Sequence, residues 1–255
     1  MCTLILAHRV WSDAPLVAAG NRDESLSRPA GAPRIWWQQP IPILAPVDQQ
    51  AGGTWLGVHA EGLFAGVTNR VGTRPPDHSR PSRGILVLTA LEERTAERAA
   101  ERVLGLDTGR FNRFHLLLAD RASAFLIWAD EGRVESVELS PGVHVVTERS
   151  LGALSVARRE GLLRGEMKAL LGSTAPGVEK LRALLSRHAE DPFDGPCVHA
   201  PRFQYGTRSW FALQLGERPC DLMFLHAEGP PCRTAAEDQA AKILQLRGGA
   251  PPGRP

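Results

Sequence analysis

Residues 1–24 read MCTLILAHRVWSDAPLVAAGNRDE. Two short apolar runs, residues 4–7 and 15–19, lie on either side of Trp11-Ser12-Asp13. Apolar runs bounded by turn-forming residues indicate two buried strands joined by a turn. Cys2 is therefore predicted at the beginning of the first strand. The polar tetrapeptide at residues 21–24 is predicted at the end of the second strand, next to Cys2.

The rest of the chain alternates between predicted strands and predicted helices. The Pro- and Gln-rich segment 28–50 is predicted to be an irregular excursion. Further strands are predicted at residues 54–58, 63–68, 115–119, 124–129, 134–139, 143–147, 209–215 and 221–226, of which the four from 115 to 147 read as one antiparallel meander. Helices are predicted at residues 84–103, 156–171, 177–188 and 235–246. This order predicts an α+β class of stacked sheets covered by helices.

Length and charge limit the classes of protein to consider. The chain has 255 residues, of which 43% are hydrophobic and 23% charged, so one hydrophobic core is the default. We expect a single domain over residues 1–246 and a disordered tail over residues 247–255. The formal charge is only +2, and the arginines are dispersed rather than clustered. We therefore expect no nucleic-acid partner.

Membrane segments, disulfides and metals are not expected either. No stretch approaches the roughly 20 apolar residues that cross a bilayer, and the first residues lack a signal peptide's charged and long apolar regions. We therefore expect no transmembrane segment and a cytoplasmic protein with reduced thiols. Four cysteines, Cys2, Cys197, Cys220 and Cys232, are too few for a disulfide scaffold. Cys197-x-His199 is too short and isolated for a zinc site, so no metal is expected.

Cys2 offers the most distinctive chemistry in the chain. Methionine aminopeptidase removes an initiator Met when residue 2 is small, which would leave a thiol and a free α-amine on Cys2. The reference pKa is about 7.7–8.0 for an α-amine and about 8.5 for a thiol, so the amine can take the thiol proton. Neither a histidine nor a metal is needed. The alternative is a core cysteine that stands at position 2 by chance.

Short motifs follow one another along residues 1–226. They are Met1-Cys2-Thr3-Leu4, Asn21-Arg22-Asp23-Glu24, Gly52-Gly53-Thr54-Trp55-Leu56-Gly57, Thr68-Asn69, Ser82-Arg83-Gly84, Leu116-Leu117-Leu118-Ala119-Asp120, Pro141-Gly142-Val143-His144 and Tyr205-Gly206-Thr207-Arg208-Ser209. In this order they resemble the NRDE family, relatives of Transport and Golgi organisation protein 2. That family is similar to N-terminal-nucleophile hydrolases such as choloylglycine hydrolases, penicillin V acylases and acid ceramidase-like enzymes. The resemblance implies a four-layer αββα sandwich of two antiparallel sheets flanked by helices.

The resemblance implies catalytic roles for five residues. Cys2 would attack an amide carbonyl, while Arg22 lowers the thiol pKa and Asp23 holds the ammonium group. Asn69 would donate to the oxyanion. Arg208 matches the hydrolases' second arginine. The alternatives are a polar turn with a surface ion pair for residues 21–24, an Asx turn for Asn69 and a snorkelling edge residue for Arg208.

Five further residues are predicted to contact substrate, namely Asn21, Glu24, Trp55, Thr68 and Glu148. Trp55 could line an apolar ligand pocket, although large aromatic residues more often belong to the core. Glu148 departs from the family pattern, which commonly has Asn after Ser or Thr at this point. A carboxylate cannot donate to an oxyanion unless it is protonated. We therefore predict that Glu148 pairs with Arg208.

Two functions fit these observations. The first is an amidohydrolase that cleaves a non-peptide C–N bond of a small amide through a Cys2 thioester. The second is a non-catalytic protein that binds or carries haem or another hydrophobic ligand, because the eukaryotic members of the family resemble secretory-pathway organisation and haem-mobilising proteins. No cofactor is expected, and haem enters only as the ligand of the second function.

Overall fold

The computed structural model describes residues 2–130, 132–151, 158–172, 174–218 and 221–248. The strands in these ranges are β1 (Cys2–His8), β2 (Leu16–Ser25), β3 (Ala30–Trp36), β4 (Ile43–Asp48), β5 (Leu56–His59), β6 (Phe64–Asn69), β7 (Phe114–Ala119), β8 (Ala124–Asp130), β9 (Arg133–Glu138), β10 (Gly142–Thr147), β11 (His199–Ala200), β12 (Tyr205–Leu215), β13 (Leu222–Ala227) and β14 (Glu237–Asp238). The α-helices are α1 (Gly84–Ala90), α2 (Ala96–Leu104), α3 (Arg158–Ala169), α4 (Val178–Leu185) and α5 (Ala240–Gly248).

The strands form two antiparallel sheets. The first sheet has the order β10-β1-β2-β12-β13-β14, with β11 paired to β12, and the second has the order β3-β4-β5-β6-β7-β8-β9. One hydrophobic core lies between the sheets. Helices α1 and α2 cover the outer face of the second sheet, and α3 and α4 cover the outer face of the first. The predicted α+β class and αββα layering are confirmed.

Both faces of the first sheet are buried, which explains the unbroken apolar run in β1. Side chains alternate along a strand, so Leu4 and Leu6 enter the core between the sheets whereas Ile5 and Ala7 pack under α3 and α4. The same alternation applies to the polar ends of β1 and β2. Cys2 and Arg22 are opposite each other and share the face of Leu4.

Two predicted elements were wrong. Residues 28–50 are not irregular, because they contain β3 and β4. Pro33 hid β3 from the pattern, but β3 is an edge strand with a register shift between Gly31 and Arg34, where a missing N–H is tolerated. β10 does not continue the meander of β7, β8 and β9, because it pairs with β1 in the other sheet.

Gly62 has φ of +99° in the β5–β6 hairpin, a turn conformation that glycine adopts without strain. Arg247 and Gly248 end α5 rather than beginning the tail, and residues 249–255 lie outside the described residues. The predicted start of the third helix, residues 156–157, also lies outside them. No helix among the described residues is long and apolar enough to span a membrane.

Candidate functional site

Cys2 begins an interior strand of the first sheet and is half-buried. β1 lies between β2 and β10, and Cys2 pairs in register with Arg22 on β2. Burial raises the pKa of the Cys2 thiol. The Asp23 carboxylate raises this pKa further, whereas the Arg22 guanidinium opposes the rise. The arginine is thus placed where it favours the thiolate, as predicted from the tetrapeptide.

The Arg22 guanidinium joins the two sheets beside Cys2. Its Cζ lies 4.3 Å from the centroid of the Trp55 ring, just before β5, a cation–π contact. Its Nη2 is 3.9 Å from Glu24 Oε2. Its Nη1 is buried and has no hydrogen-bond partner among the described residues. A buried donor without a protein partner is available to a ligand.

Asp23 points to the opposite face of the sheet, under α3, and is 1% exposed. Its Oδ2 lies 3.2 Å from Arg159 Nη1, and its Oδ1 accepts a 2.6 Å hydrogen bond from Thr207 Oγ1. Burial raises the pKa of Asp23 to about 6, although Arg159 acts to lower it. Arg159 Nη1 also donates to Thr3 Oγ1 at 3.1 Å. The carboxylate is therefore held beside the beginning of β1.

Asn21 anchors the segment that follows α4. Its Nδ2 donates to the carbonyl oxygens of Leu185, at 3.0 Å, and Pro196, at 2.8 Å. Its Oδ1 is buried without a hydrogen-bond partner among the described residues. The side-chain amide N–H₂ thus holds the chain, and Asn21 also belongs to the lining of the Cys2 crevice.

The predicted pairing of Glu148 with Arg208 is wrong. Glu148 is 2% exposed, and its carboxylate lies 3.4 Å from Arg149 Nε and 3.9 Å from Arg159 Nη1. Arg208 Nη1 instead donates to the carbonyl oxygen of Leu26 at 2.6 Å. The sequence departure at Glu148 therefore extends the buried Asp23–Arg159 pair into a charge network on the helix side of the sheet.

Arg208 sits at an irregularity in β12. The register between β2 and β12 shifts between Thr207 and Ser209, so Arg208 is the unpaired residue of a β-bulge. A bulge bends the strand and re-aims a side chain. Here it turns Thr207 toward Asp23 and lets Arg208 line a cleft together with Arg22.

Two cavities meet at Arg22 and Trp55. A crevice of about 10 Å³, the size of roughly one water, is lined by Cys2, Arg22, Trp55 and His226, among others. A wider cleft of about 620 Å³, here called the Arg22 cleft, is also lined by Arg22, Trp55 and His226. Arg208 lines this wider cleft as well. The thiol thus lies in a narrow extension of a cleft large enough for a small molecule.

Asn69 and Thr68 end strand β6 of the second sheet. Asn69 lines a third cavity of about 860 Å³ together with Arg83 and Glu148, not the Cys2 crevice. Thr68 is 1% exposed, and its hydroxyl contacts the Asn69 carbonyl oxygen at 3.1 Å and His115 Nδ1 at 3.3 Å. Burial lowers the pKa of His115 to about 4, and Arg70 lowers it further. Asn69 and Thr68 thus do not line the Cys2 crevice, and their oxyanion and substrate contacts stay predictions.

Several residues of the site were missed by sequence analysis. Arg159 lies in a segment without a motif, and only the tertiary structure brings it to Asp23. Tyr205 donates its hydroxyl to the Asp23 carbonyl oxygen at 2.6 Å, and burial raises the Tyr205 pKa. His226 lines the Cys2 crevice, and burial lowers its pKa to about 4. Tyr205 belonged to a quoted motif, so its position was a usable signal.

Comparisons with known proteins identify the family and agree with the fold. The family model described as Transport and Golgi organisation 2 matches residues 1–218. A Transport and Golgi organization protein 2 homolog from Bos taurus is 27% identical over 228 residues, which cover 76% of this chain and 79% of that protein. The Mus musculus homolog is 28% identical over 136 residues, covering 51% of this chain and 49% of its own length.

Solved structures share the fold at low sequence identity. A Caenorhabditis elegans ortholog of N-acylethanolamine-hydrolyzing acid amidase superposes with a TM-score of 0.58 at 11% identity, over 83% of this chain and 92% of that one. A variant of the conjugated bile acid hydrolase from Clostridium perfringens gives a TM-score of 0.60 at 10% identity, over 94% and 93%. The chain therefore belongs to the Transport and Golgi organisation 2 family, on a fold like that of N-terminal-nucleophile hydrolases.

Proposed function

We propose that this protein is an N-terminal cysteine amidohydrolase that cleaves a non-peptide carbon–nitrogen bond, with Cys2 as its nucleophile. The observation that carries the proposal is the register of Cys2 with Arg22 at the edge of the Arg22 cleft. The thiol has a guanidinium beside it and a donor, Arg22 Nη1, that no described residue uses. The reaction takes place in the cytoplasm, where thiols stay reduced.

The proposed reaction needs Met1 removed, so that Cys2 carries a free α-amine. The amine takes the thiol proton, Sγ attacks the amide carbonyl, and the C–N bond breaks as the amine product leaves with a proton. Water then hydrolyses the thioester, which releases a carboxylic acid and restores the thiol. Arg22 Nη1 is positioned to donate to the developing oxyanion.

Charges near Cys2 support this chemistry. Because burial raises the pKa of the thiol, a nearby base and cation are needed to form the thiolate at neutral pH. The Asp23 carboxyl, with a pKa of about 6, is ionised at neutral pH and can hold an α-ammonium group on Cys2. Below pH 6 the carboxyl becomes protonated. Activity should therefore fall as the pH decreases through about 6.

The folds of the two solved neighbours are compatible with the proposal. One of them is an N-acylethanolamine-hydrolyzing acid amidase and the other a conjugated bile acid hydrolase. Their identity to this chain is too low to transfer a substrate. The cleft volume of about 620 Å³ lies in the range of about 300–1,000 Å³ that is usual for small-molecule sites.

A second function, binding of haem or another hydrophobic ligand without a covalent step, is favoured by one observation. The space next to Cys2 holds only about one water, and burial disfavours its thiolate. A ligand in the Arg22 cleft would contact Trp55 and the guanidinium groups of Arg22 and Arg208 without reaching the thiol. Under this function Cys2 is dispensable.

Intact-mass analysis followed by a substrate screen tests the proposal. We expect Met1 to be absent and a panel of acylated fluorescent amines to give amine release together with an acyl adduct on Cys2. Cys2→Ala should abolish both signals. The matched control is Cys220→Ser, which keeps the nucleophile and should keep the activity.

Haemin titration into wild type and Cys2→Ala separates the two functions. Equal Soret changes in both proteins, with no acyl adduct from any amide, would support the carrier. A mature protein that retains Met1 would contradict the amidohydrolase, because Cys2 then has no free α-amine.

A further inference from the structure

We propose that His188, Cys197, His199 and Cys232 bind one Zn²⁺ ion in a tetrahedral structural site. One ligand atom from each residue lies within 4.8 Å of all the others. The interpretation of Cys197 and His199 as isolated was wrong, because folding brings two further ligands to them from other segments. We call these four residues the cysteine–histidine cluster.

The separations between the ligand atoms match a tetrahedral metal site. With metal–sulfur bonds of about 2.3 Å and metal–nitrogen bonds of about 2.0–2.1 Å, tetrahedral ligands are about 3.8 Å apart for two sulfurs and about 3.5 Å for sulfur and nitrogen. The two Sγ atoms are 3.6 Å apart, and His199 Nε2 lies 3.5 Å from Cys197 Sγ and 3.3 Å from Cys232 Sγ. A disulfide needs about 2.05 Å, so the sulfurs are placed as ligands and not as a bond.

Hydrogen bonding prepares a histidine for this role. His188 Nδ1 is 3.1 Å from the Cys197 carbonyl oxygen, which fixes the protonated nitrogen and leaves Nε2 for the metal. Metal-binding histidines almost always make such a bond through their other nitrogen. The His188 and His199 rings are 5.0 Å apart between centroids at an interplanar angle of 43°, so they are tilted rather than stacked.

The donor set selects the metal. Two thiolates and two imidazoles in a tetrahedral arrangement favour Zn²⁺ over Mg²⁺ or Ca²⁺, which prefer oxygen ligands. All four positions are supplied by protein, which is typical of structural rather than catalytic zinc. Binding would displace two thiol protons to solvent. His188 lies on the exposed rim, so a chelator has access to the ion.

The cluster ties together three segments, and the segments around His199 and Cys232 line the Arg22 cleft. His188 follows α4, Cys197 and His199 flank Val198 at β11, and Cys232 lies after β13. Val198 N–H donates to Thr207 Oγ1 at 2.8 Å, and this hydroxyl donates to Asp23 at 2.6 Å. A metal at the cluster would therefore hold the donor that orients the Asp23 carboxylate.

Metal analysis of the untagged full-length protein tests the proposal without any substrate. We expect about one zinc per chain. When Co²⁺ is added after the zinc has been removed with a chelator, the protein should show the intense visible bands of tetrahedral cobalt. It should also show a thiolate-to-cobalt charge-transfer band. His188→Ala changes only the exposed rim, so it should fold and bind cobalt at least about 10²-fold more weakly. Cys232→Ser should abolish the charge-transfer contribution of one thiolate.

Two matched controls leave the cluster intact. Cys2→Ser and His144→Ala remove a thiol and an imidazole from other parts of the described chain and should keep the wild-type cobalt spectrum. Freshly reduced wild type that takes up neither metal, or an octahedral cobalt spectrum without charge transfer, would overturn the proposal. Recovery of Cys197 and Cys232 as a disulfide from such metal-free protein would overturn it in the same way.

Discussion

Cys2 and the cysteine–histidine cluster present the same functional group to different neighbours. Cys2 is a single thiol with Arg22 beside it and a buried carboxylate, Asp23, on the next residue of β2. The cluster holds two thiols and two imidazoles within 4.8 Å of one another. One hydrogen-bond path, from Val198 through Thr207 to Asp23, connects the two regions.

The comparison shows that the neighbours, not the cysteine itself, select its chemistry. A thiol beside one cation and an adjoining cleft is suited to nucleophilic attack. A pair of thiols with imidazoles and no room for substrate between them is suited to a metal ion. Substitutions in one region, with turnover, stability and cobalt binding measured for each variant, test this difference.

Removal of the nucleophile should have the largest effect. Cys2→Ala should lower amine release from any amide found in the screen by at least about 10³-fold. The reason is that no other described thiol lines the crevice next to the Arg22 cleft. Single-turnover amine release measures this loss. Cobalt binding at the cluster should not change. Retained turnover in Cys2→Ala would assign the chemistry to another group and contradict the role of Cys2 as the nucleophile.

Loss of the buried cation beside Asp23 should have the next largest effect. Arg159→Met removes the Arg159 ion pair from the buried Asp23 carboxylate and should lower the free energy of unfolding by about 3–5 kcal/mol, measured by urea titration. The double variant with Asp23→Asn should recover most of this loss. Arg158→Met is the matched control, because that side chain is 75% exposed in its pair with Asp194 and should cost under about 1 kcal/mol. Equal losses in both single variants would contradict the buried network.

Acidification should lower the free energy of unfolding through His226, the histidine that lines the Cys2 crevice. Burial, with a contribution from Lys242, lowers the folded-state pKa of His226 to about 4, against a usual 6.5. The unfolded state then binds more protons between pH 6.5 and 4, so the His226 contribution of about 3 kcal/mol is lost as the pH falls through this range. Asp23, with its raised pKa, acts in the opposite direction between pH 6 and 4.

Urea titrations of wild type and His226→Gln at pH 7 and pH 4.5 measure this contribution. The variant should lose less stability on acidification than wild type does. His78→Gln, at an exposed position, is the control and should follow wild type. A variant with the same acid sensitivity as wild type would exclude His226 as the group responsible.

Removal of the Thr207 hydroxyl, which connects Val198 to Asp23 by hydrogen bonds, should have the smallest effect. Thr207→Val keeps the side-chain shape but leaves the buried Val198 N–H without its acceptor and removes the hydroxyl that donates to Asp23 Oδ1. We expect a loss of about 1–3 kcal/mol in unfolding free energy and weaker cobalt binding, both restored by Thr207→Ser. Unchanged cobalt affinity in Thr207→Val would show that the two regions are independent.

The local pattern determined much of the first sheet and part of the Cys2 site. The apolar runs flanking residues 11–13 predicted β1 and β2, and their polar ends predicted that Cys2 and Arg22 meet, which the register confirms. The reason is geometric, since a hairpin brings the beginning of one strand to the end of the next. Residues 28–50 escaped prediction because an edge strand tolerates proline and an irregular register.

Only the tertiary structure decided which distant residues complete each region. Arg159 reaches Asp23 across 136 positions of sequence, and Cys232 reaches Cys197 across 35. No local periodicity encodes such meetings, because they depend on how helix α3 and the loop after β13 pack against the first sheet. By itself, the sequence determined that Cys2 begins a strand beside an arginine. The packing of the sheet with its helices decided that Glu148 joins Arg159 and not Arg208.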